Sequence, residues 1–118
     1  MNLYEQLGGD PAIAVAVESF YSRVLADPEL ARYFEGMDVS AIKRHQRDFF
    51  SVLLDGPEIY DGRSMRNAHS GLGITEAEYT RVLRHLRDTL DDLRVEPELA
   101  DGVIRRIELL RAAIVEIR

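Results

Sequence analysis

The sequence predicts an all-α fold in a single domain. Apolar residues recur at helical spacing through several long segments, and capping residues followed by proline stand at the start of some of them. No segment alternates apolar and polar residues as a strand would. A chain of 118 residues has the usual size of one domain, here residues 1–118. We therefore expect four substantial helices and three minor ones.

The first long helix is predicted to begin near Asp10. Residues 1–7 form a short lead-in that Gly8 and Gly9 end. Asp10 can cap a helix and Pro11 suits its first turn, so this pair marks a helix start. The apolar stripe that follows comprises Ile13, Val17, Phe20, Tyr21 and Val24.

A second cap-and-proline pair, Asp27-Pro28, predicts a short helix that ends before Gly36. Asp38 or Ser40 then caps the next long helix, which we expect to run to about residue 54. The Asp55-Gly56-Pro57 run ends that helix.

The second half of the chain begins with residues 60–73, which contain few large apolar side chains and are bounded by glycine. Thr75 and Glu78 then have the spacing of a capping box, and Glu96-Pro97 opens the last helix. We expect the last helix to continue to the end of the chain. The two apolar stripes comprise Tyr79, Val82, Leu83, Leu86, Leu90 and Leu93 in the first helix, and Leu99, Val103, Ile107, Leu110, Ile114 and Ile117 in the second.

Composition excludes several kinds of site. The formal net charge of -6 disfavours nucleic acid and anionic membrane surfaces as partners. The chain has no cysteine, so disulfides, zinc–thiolate sites, iron–sulfur clusters and C-x-x-C-H haem attachment are impossible. No apolar run reaches the length of a membrane span and no signal-peptide core is visible, so we expect no membrane insertion and a cytoplasmic location.

Polar residues interrupt the apolar face of the helix over about 40–54. When residues are placed around the helix axis at about 100° per residue, with Ile42 at zero, Gln46 falls near +40° and His45 near -60°. Gln46 is therefore within the apolar stripe and His45 is on its edge. A buried amide costs a few kcal/mol unless it has a hydrogen-bond partner, although a backbone carbonyl is an ordinary partner for such a glutamine.

Tyr21 and His69 are the other polar residues of interest. Tyr21 lies on the stripe of the first long helix, where its hydroxyl also needs a partner unless it reaches the rim of the core. His69 lies at the end of a segment that is too short to be stable as a helix alone, so the segment must pack on another group. The imidazole of His69 is well placed to bind that group. A structural or surface role is the ordinary explanation for a single histidine, and we assign His85 to one of these two roles. These residues alone support a small helical domain with polar groups in its core.

The order of motifs makes the sequence resemble the truncated haemoglobins, specifically group I. The resemblance covers nearly the whole chain. It rests on LYEQLGG at 3–9, FYSRVLADPEL at 20–30, HQRDFF at 45–50, YDGRSMRNAH at 60–69 and HLRDTL at 85–90. It implies a two-over-two helical sandwich around a haem, in which the helices from about residues 10 and 40 form one pair and the last two long helices form the other.

The resemblance also implies roles for individual residues. His69 matches the proximal iron ligand, and Tyr21 and Gln46 match the distal pair that stabilises bound ligand. His45 matches a position that supplies a sixth iron ligand in some cyanobacterial members, while Ile42 replaces the distal histidine of many other globins. The remaining haem contacts implied by the resemblance are Phe34, Ile42, His45, Phe49, Phe50, Arg63, Met65, Tyr79, Val82 and Leu86.

The function implied by the resemblance is reversible binding of dioxygen by haem b, with nitric oxide and carbon monoxide as further ligands. It also implies nitric oxide dioxygenase activity that depends on an external reductase. We expect non-covalent haem, because the chain has no histidine after His85 to bond a haem vinyl group. Two alternatives stay open: a redox protein with His45 and His69 both on the iron, and a haem-free helical sensor or adaptor.

Overall fold

The computed structural model describes residues 2–54 and 71–117. Helices account for most of this part of the chain, and a 3₁₀ turn, Arg32–Phe34, follows the third helix. The α-helices are α1 (Leu3–Leu7), α2 (Gly9–Ala26), α3 (Pro28–Ala31), α4 (Val39–Leu53), α5 (Glu76–Asp92), α6 (Pro97–Glu108) and α7 (Arg111–Ile114).

Side-chain caps fix the starts of three helices, as the sequence predicted. The Asp27 carboxylate accepts a hydrogen bond from the first turn of α3, and the Asp38 carboxylate does the same for α4. Thr75 and Glu78 form the predicted capping box of α5, each accepting from the other's backbone N–H at 3.0 Å. These caps satisfy backbone donors that have no partner within the helix.

The prediction that the first long helix begins near Asp10 is confirmed, but Asp10 does not cap it. Helix α2 begins at Gly9, and residues 3–7 are already helical as α1. Gly8 ends α1 with φ of +116°, a conformation that favours glycine and lets α2 begin without an intervening loop. The Asp10 carboxylate accepts a hydrogen bond from the Tyr4 hydroxyl at 2.6 Å instead of capping α2.

The prediction that the last helix continues to the end of the chain is wrong. Helix α6 ends at Glu108, α7 follows after a break, and Ile117 is 53% exposed. Ile117 instead pairs with Thr75 in an isolated parallel bridge, and its carbonyl accepts from the Glu76 N–H at 3.2 Å. Pairing with the segment before α5 gives these backbone groups partners outside a helix.

Two pairs of helices form the body of the fold. Helix α2 packs on α4, α5 packs on α6, and contacts between α2 and α5 join the pairs. This is the predicted two-over-two arrangement. Among the described helices, none combines the length and the apolar character needed to cross a membrane. The buried apolar residues include Val17, Val24, Leu54, Leu83, Leu90, Ala100 and Val103.

Candidate functional site

A cavity of about 510 Å³ lies between the two helix pairs. Helices α2, α4 and α5 supply most of its wall, and the 3₁₀ turn and the C-terminal helices complete it. Most of the lining side chains are apolar and several are aromatic, including Phe20, Phe49 and Phe50. The size and character of this cavity are those of sites that hold cofactors or small molecules.

Helical spacing brings the sequence-predicted site residues together at this cavity. Every predicted haem contact in the described part of the chain lines it. His69, Arg63 and Met65 lie outside the described residues, as does most of the segment over 60–73. The predicted residues that line the cavity are Tyr21, Phe34, Ile42, His45, Gln46, Phe49, Phe50, Tyr79, Val82 and Leu86.

Tyr21 is held in the cavity wall by two aromatic neighbours. The residue is 4% exposed, and its ring packs edge-on against Phe20 and Phe34, with centroid distances of 5.3 and 5.7 Å. Burial raises the pKa of the Tyr21 hydroxyl, so the phenol stays protonated at neutral pH. No residue in the described part of the chain hydrogen-bonds this hydroxyl. Tyr21 can therefore donate a hydrogen bond to a molecule in the cavity.

Helix α4 presents Ile42, His45 and Gln46 to the same cavity. Gln46 is half-buried, and its carboxamide forms no hydrogen bond with any residue that the structure describes. His45 is exposed and lies at the edge of the cavity, as its position on the helix predicts. Tyr21 and Gln46 thus give this largely apolar space two polar groups on facing helices that can donate hydrogen bonds to a molecule in it.

Sequence reasoning did not identify Glu78 and Tyr33 as cavity residues. The Tyr33 hydroxyl donates to Glu78 Oε1 at 2.6 Å, and the Arg32 guanidinium donates to Oε2 at 2.7 Å. Burial alone would raise the pKa of Glu78, but hydrogen bonds from Tyr33, Thr75 and Arg32 hold that pKa below its usual value. The capping-box spacing predicts only the contact with Thr75. The contacts with Arg32 and Tyr33 join residues distant in the sequence and leave no local pattern.

Asp27 and His85 form a separate polar cluster. The buried Asp27 carboxylate accepts from Arg81 Nε at 2.6 Å and lies 2.7 Å from His85 Nε2. Hydrogen bonds from Arg81 and His85 hold the pKa of Asp27 far below its ordinary value. This cluster ties the start of α3 to the middle of α5, so of the two roles expected for His85, structural or surface, the contacts favour the structural one.

Comparison with known proteins identifies relatives over almost the whole chain. The bacterial-like globin family matches residues 2–116. The chain is 37% identical over 113 residues to the group 1 truncated haemoglobin GlbN of Mycolicibacterium paratuberculosis, which covers 96% of this chain and 83% of that protein. It is 34% identical over 109 residues to the group 1 truncated haemoglobin of Tetrahymena pyriformis, covering 92% and 90% of the two chains.

Solved structures give the same result for the fold. The Fe(III) form of the truncated haemoglobin of Tetrahymena pyriformis superposes with a TM-score of 0.92 at 32% identity, over 98% of each chain. A 2/2 haemoglobin of a Synechococcus species, in the cyanomet state with covalently attached haem, superposes with a TM-score of 0.91 at 36% identity, again over 98% of each chain. Both matches include the helices that enclose the cavity.

Proposed function

The chain belongs to the bacterial-like globin family, among its group 1 truncated haemoglobins, and we propose that it binds haem b non-covalently and holds dioxygen reversibly. Membership of the family implies haem and the binding of diatomic ligands. One observation supports the proposal that the chain holds dioxygen reversibly. The apolar cavity contains two donor groups, Tyr21 and Gln46, that no described residue hydrogen-bonds.

The described residues suit a porphyrin. A flat, largely apolar macrocycle needs a cavity walled by rings and aliphatic side chains, and Phe34, Phe49, Val82 and Leu86 supply such a wall here. Neutral imidazole is the usual axial donor to haem iron in globins, and His69 is the residue that we assign to this role. Covalent attachment through a late histidine is not expected, since the last histidine of the chain is His85.

Haem iron supplies, when bound, a metal centre that takes a diatomic ligand and exchanges electrons. The Tyr21 hydroxyl and the Gln46 amide, which both line the cavity, could both donate hydrogen bonds to such a ligand. A hydrogen bond to a charged acceptor contributes about 1.5–3 kcal/mol. Two such bonds, fully expressed in dissociation, slow ligand release by about two or more powers of ten. Slow release favours ligand retention and oxidation chemistry over rapid oxygen delivery.

Nitric oxide dioxygenation is the enzymatic activity that we propose. Nitric oxide, dioxygen and one electron give nitrate, so each turnover needs an electron from outside the chain. The sequence contains no recognisable flavin or nicotinamide motif, and we therefore assign the electron to an external reductase.

Single-turnover mixing tests this activity. The oxygenated protein is mixed with one equivalent of nitric oxide in a stopped-flow instrument, and nitrate is measured in the product. We expect about one equivalent of nitrate and a ferric spectrum. An oxygenated protein that releases its dioxygen and forms no nitrate contradicts the dioxygenase proposal while leaving oxygen binding intact.

A second candidate, a redox protein with both axial positions filled, is favoured by the position of His45 at the cavity edge. Neutral imidazole from this residue would compete with the diatomic ligand for the same iron site. The observed ligand affinity would then fall in proportion to the fraction of protein in the open state.

A further inference from the structure

The outer side of α4 carries a cluster of basic side chains, which we call the basic face of α4. It comprises Lys43, Arg44 and Arg47. With Ile42 at zero, these residues fall near +100°, about +200° and about +140° around the helix axis, so they share one side of the helix. The two arginines are exposed and Lys43 is partly buried. This basic face contrasts with the formal net charge of -6 for the whole chain.

A hollow of about 410 Å³ lies beside the basic face, between α4 and α2. The Lys43 ammonium donates to Glu18 Oε1 across this hollow at 2.7 Å, so one cation already has a partner. Glu18 is the only carboxylate in the lining of the hollow, so positive charge is in excess there. The residues that line it are Ala14, Val17, Glu18, Ser40, Lys43, Arg44 and Arg47.

Arg44 and Arg47 are the unpaired cations of the basic face. Neither guanidinium forms a hydrogen bond or an ion pair with any residue that the structure describes. Asp48 follows on the same helix, but it pairs with neither arginine within that part of the chain and does not line the hollow. Guanidinium groups left without a carboxylate are suited to bind one on another molecule. Other arginines do pair with carboxylates of this chain, namely Arg32, Arg81, Arg87 and Arg111.

The opposite side of α4 faces the cavity. Ile42, His45 and Gln46 line the cavity and lie between about -60° and +40° on the same helix. A molecule on the basic face is therefore separated from the cavity by little more than the thickness of one helix, about 10–12 Å with its side chains. Electron transfer slows steeply with distance, so this surface is a favourable place for a donor to dock.

We propose that the basic face of α4 is the docking surface for the protein that reduces the haem, and that this reductase presents carboxylates to Arg44 and Arg47. Electron-transfer complexes bury small interfaces, commonly below about 1,200 Å², and charge complementarity guides their encounter. The planar guanidinium can hold a carboxylate through two parallel hydrogen bonds, which also orients the partner. This inference rests on the proposed function, since it takes the electron of each turnover from an external protein.

The double variant Arg44→Glu/Arg47→Glu tests the proposal by reversing both unpaired charges. Arg44→Gln/Arg47→Gln only removes them, so it covers the case in which the reversal prevents folding. Arg84→Glu/Arg105→Glu is the matched control, because Arg84 and Arg105 are exposed on α5 and α6 and show no ion pair within the described residues. The two Glu variants have the same net charge, so a difference between them reports the position of the charges.

Reduced plant-type ferredoxin, an acidic one-electron donor, is the protein probe. Lumiflavin semiquinone, generated by a light flash, is the small uncharged donor that needs no docking surface. In each reaction the donor loses one electron, which reduces ferric iron to ferrous, and absorption records the rate. The rates are measured at about 0.01 M and about 1 M salt, where the Debye length is about 30 Å and about 3 Å. Calorimetric titration with oxidised ferredoxin measures binding without electron transfer.

We expect Arg44→Glu/Arg47→Glu to slow reduction by ferredoxin at least about tenfold at low salt, and to weaken ferredoxin binding by a similar factor. The Gln variant should lie between this variant and wild type, and Arg84→Glu/Arg105→Glu should change much less. At high salt the difference should largely disappear, because screening removes the attraction. Reduction by lumiflavin semiquinone and dissociation of dioxygen should be unchanged in all variants.

Equal slowing in the two Glu variants would show that only the total charge matters, and would overturn the assignment of this surface. A ferredoxin rate that is the same in wild type and Arg44→Glu/Arg47→Glu, or a wild-type rate that does not fall as salt rises, would overturn it as well. A wild-type protein that binds no haem contradicts the proposed function instead. The calorimetric titration then still reports whether the basic face binds an acidic protein.

Discussion

The ring of Tyr21 packs edge-on against the ring of Phe34, with centroids 5.7 Å apart and ring planes at 87°. This contact joins α2 to the 3₁₀ turn in the wall of the cavity. Because aromatic neighbours fix the ring, the Tyr21 hydroxyl has a defined direction before any ligand arrives. A donor held in place loses little conformational entropy when the ligand binds.

Replacing the hydroxyl alone tests its role in ligand retention. We expect Tyr21→Phe to speed dioxygen dissociation at least about tenfold, from the loss of one hydrogen bond of about 1.5 kcal/mol. Carbon monoxide carries less charge when bound, so its dissociation should change much less. Tyr33→Phe is the matched control, since Tyr33 also lines the cavity but donates its hydroxyl to Glu78. Stopped-flow traces in which Tyr21→Phe affects both gases equally would argue against the donor role.

Filling the cavity tests whether it is the haem site. Val82 is half-buried in the cavity wall, and Val82→Trp places an indole where we expect the porphyrin. We predict at least about a tenfold loss of haem affinity, which corresponds to about 1.4 kcal/mol. Val15→Trp makes the same change at a side chain that is 55% exposed. Titration of each apoprotein with hemin measures the affinity, and equal affinities for the two variants would place the haem elsewhere.

The Asp27 cluster gives a prediction for acid unfolding. Hydrogen bonds from Arg81 and His85 lower the pKa of Asp27 in the folded protein, so this carboxylate contributes stability above its unfolded pKa of about 3.9. That contribution is lost as the pH falls below about 5 toward the folded value. Asp27→Asn should therefore unfold more easily than wild type at pH 7, and the difference should shrink as the pH falls to 3.

Asp38→Asn is the control for that experiment, because Asp38 also caps a helix but shows no ion pair within the described residues. Asparagine is a good cap, so this variant should lose little stability at either pH. Urea unfolding, monitored by circular dichroism, measures the stability of both variants at each pH. A difference between wild type and Asp27→Asn that stays constant from pH 7 to 3 would exclude the charge as its source.

His45 distinguishes an open iron site from a filled one. Its side chain is exposed, so we expect His45→Ala to leave the reduced protein five-coordinate, with carbon monoxide association close to that of wild type. The rates of carbon monoxide association in wild type and in the variant should also be insensitive to pH, because no imidazole leaves the iron on protonation. If the wild type is low-spin without ligand and the variant becomes high-spin with faster ligand entry, the redox candidate replaces the oxygen-binding one.

The local sequence predicts most of the helices because their starts depend on nearby residues. Asp27, Asp38 and the Thr75–Glu78 pair each bind backbone donors within three residues of themselves. The α4 stripe likewise follows from helical geometry, and Phe49 and Phe50 are buried while Gln46 faces the cavity. Asp10 has the same local pattern as Asp27, but its carboxylate accepts a hydrogen bond from Tyr4, and α2 begins at Gly9 without a side-chain cap.

What the sequence could not predict depends on contacts between distant residues. Glu116 is an ordinary acidic residue near the end of an apolar stripe, and nothing nearby indicates that it binds Gly71 and Gly73. The hydrogen bond from Tyr33 to Glu78 likewise joins residues that are 45 positions apart in the sequence. The roles that we propose for Tyr21, Gln46 and His69 rest on the order of motifs across the whole chain, since periodicity places a polar group on an apolar face without saying what it binds.

The most direct test of haem binding through His69 is the absorption spectrum of the His69→Gly variant, measured ferric and dithionite-reduced beside wild type, with and without added imidazole. We predict a five-coordinate ferrous spectrum for wild type, its loss in the variant, and its return when imidazole fills the space left by the side chain. A variant that keeps the wild-type ferrous spectrum without imidazole, or a wild-type protein with no Soret band after hemin addition, would contradict this prediction.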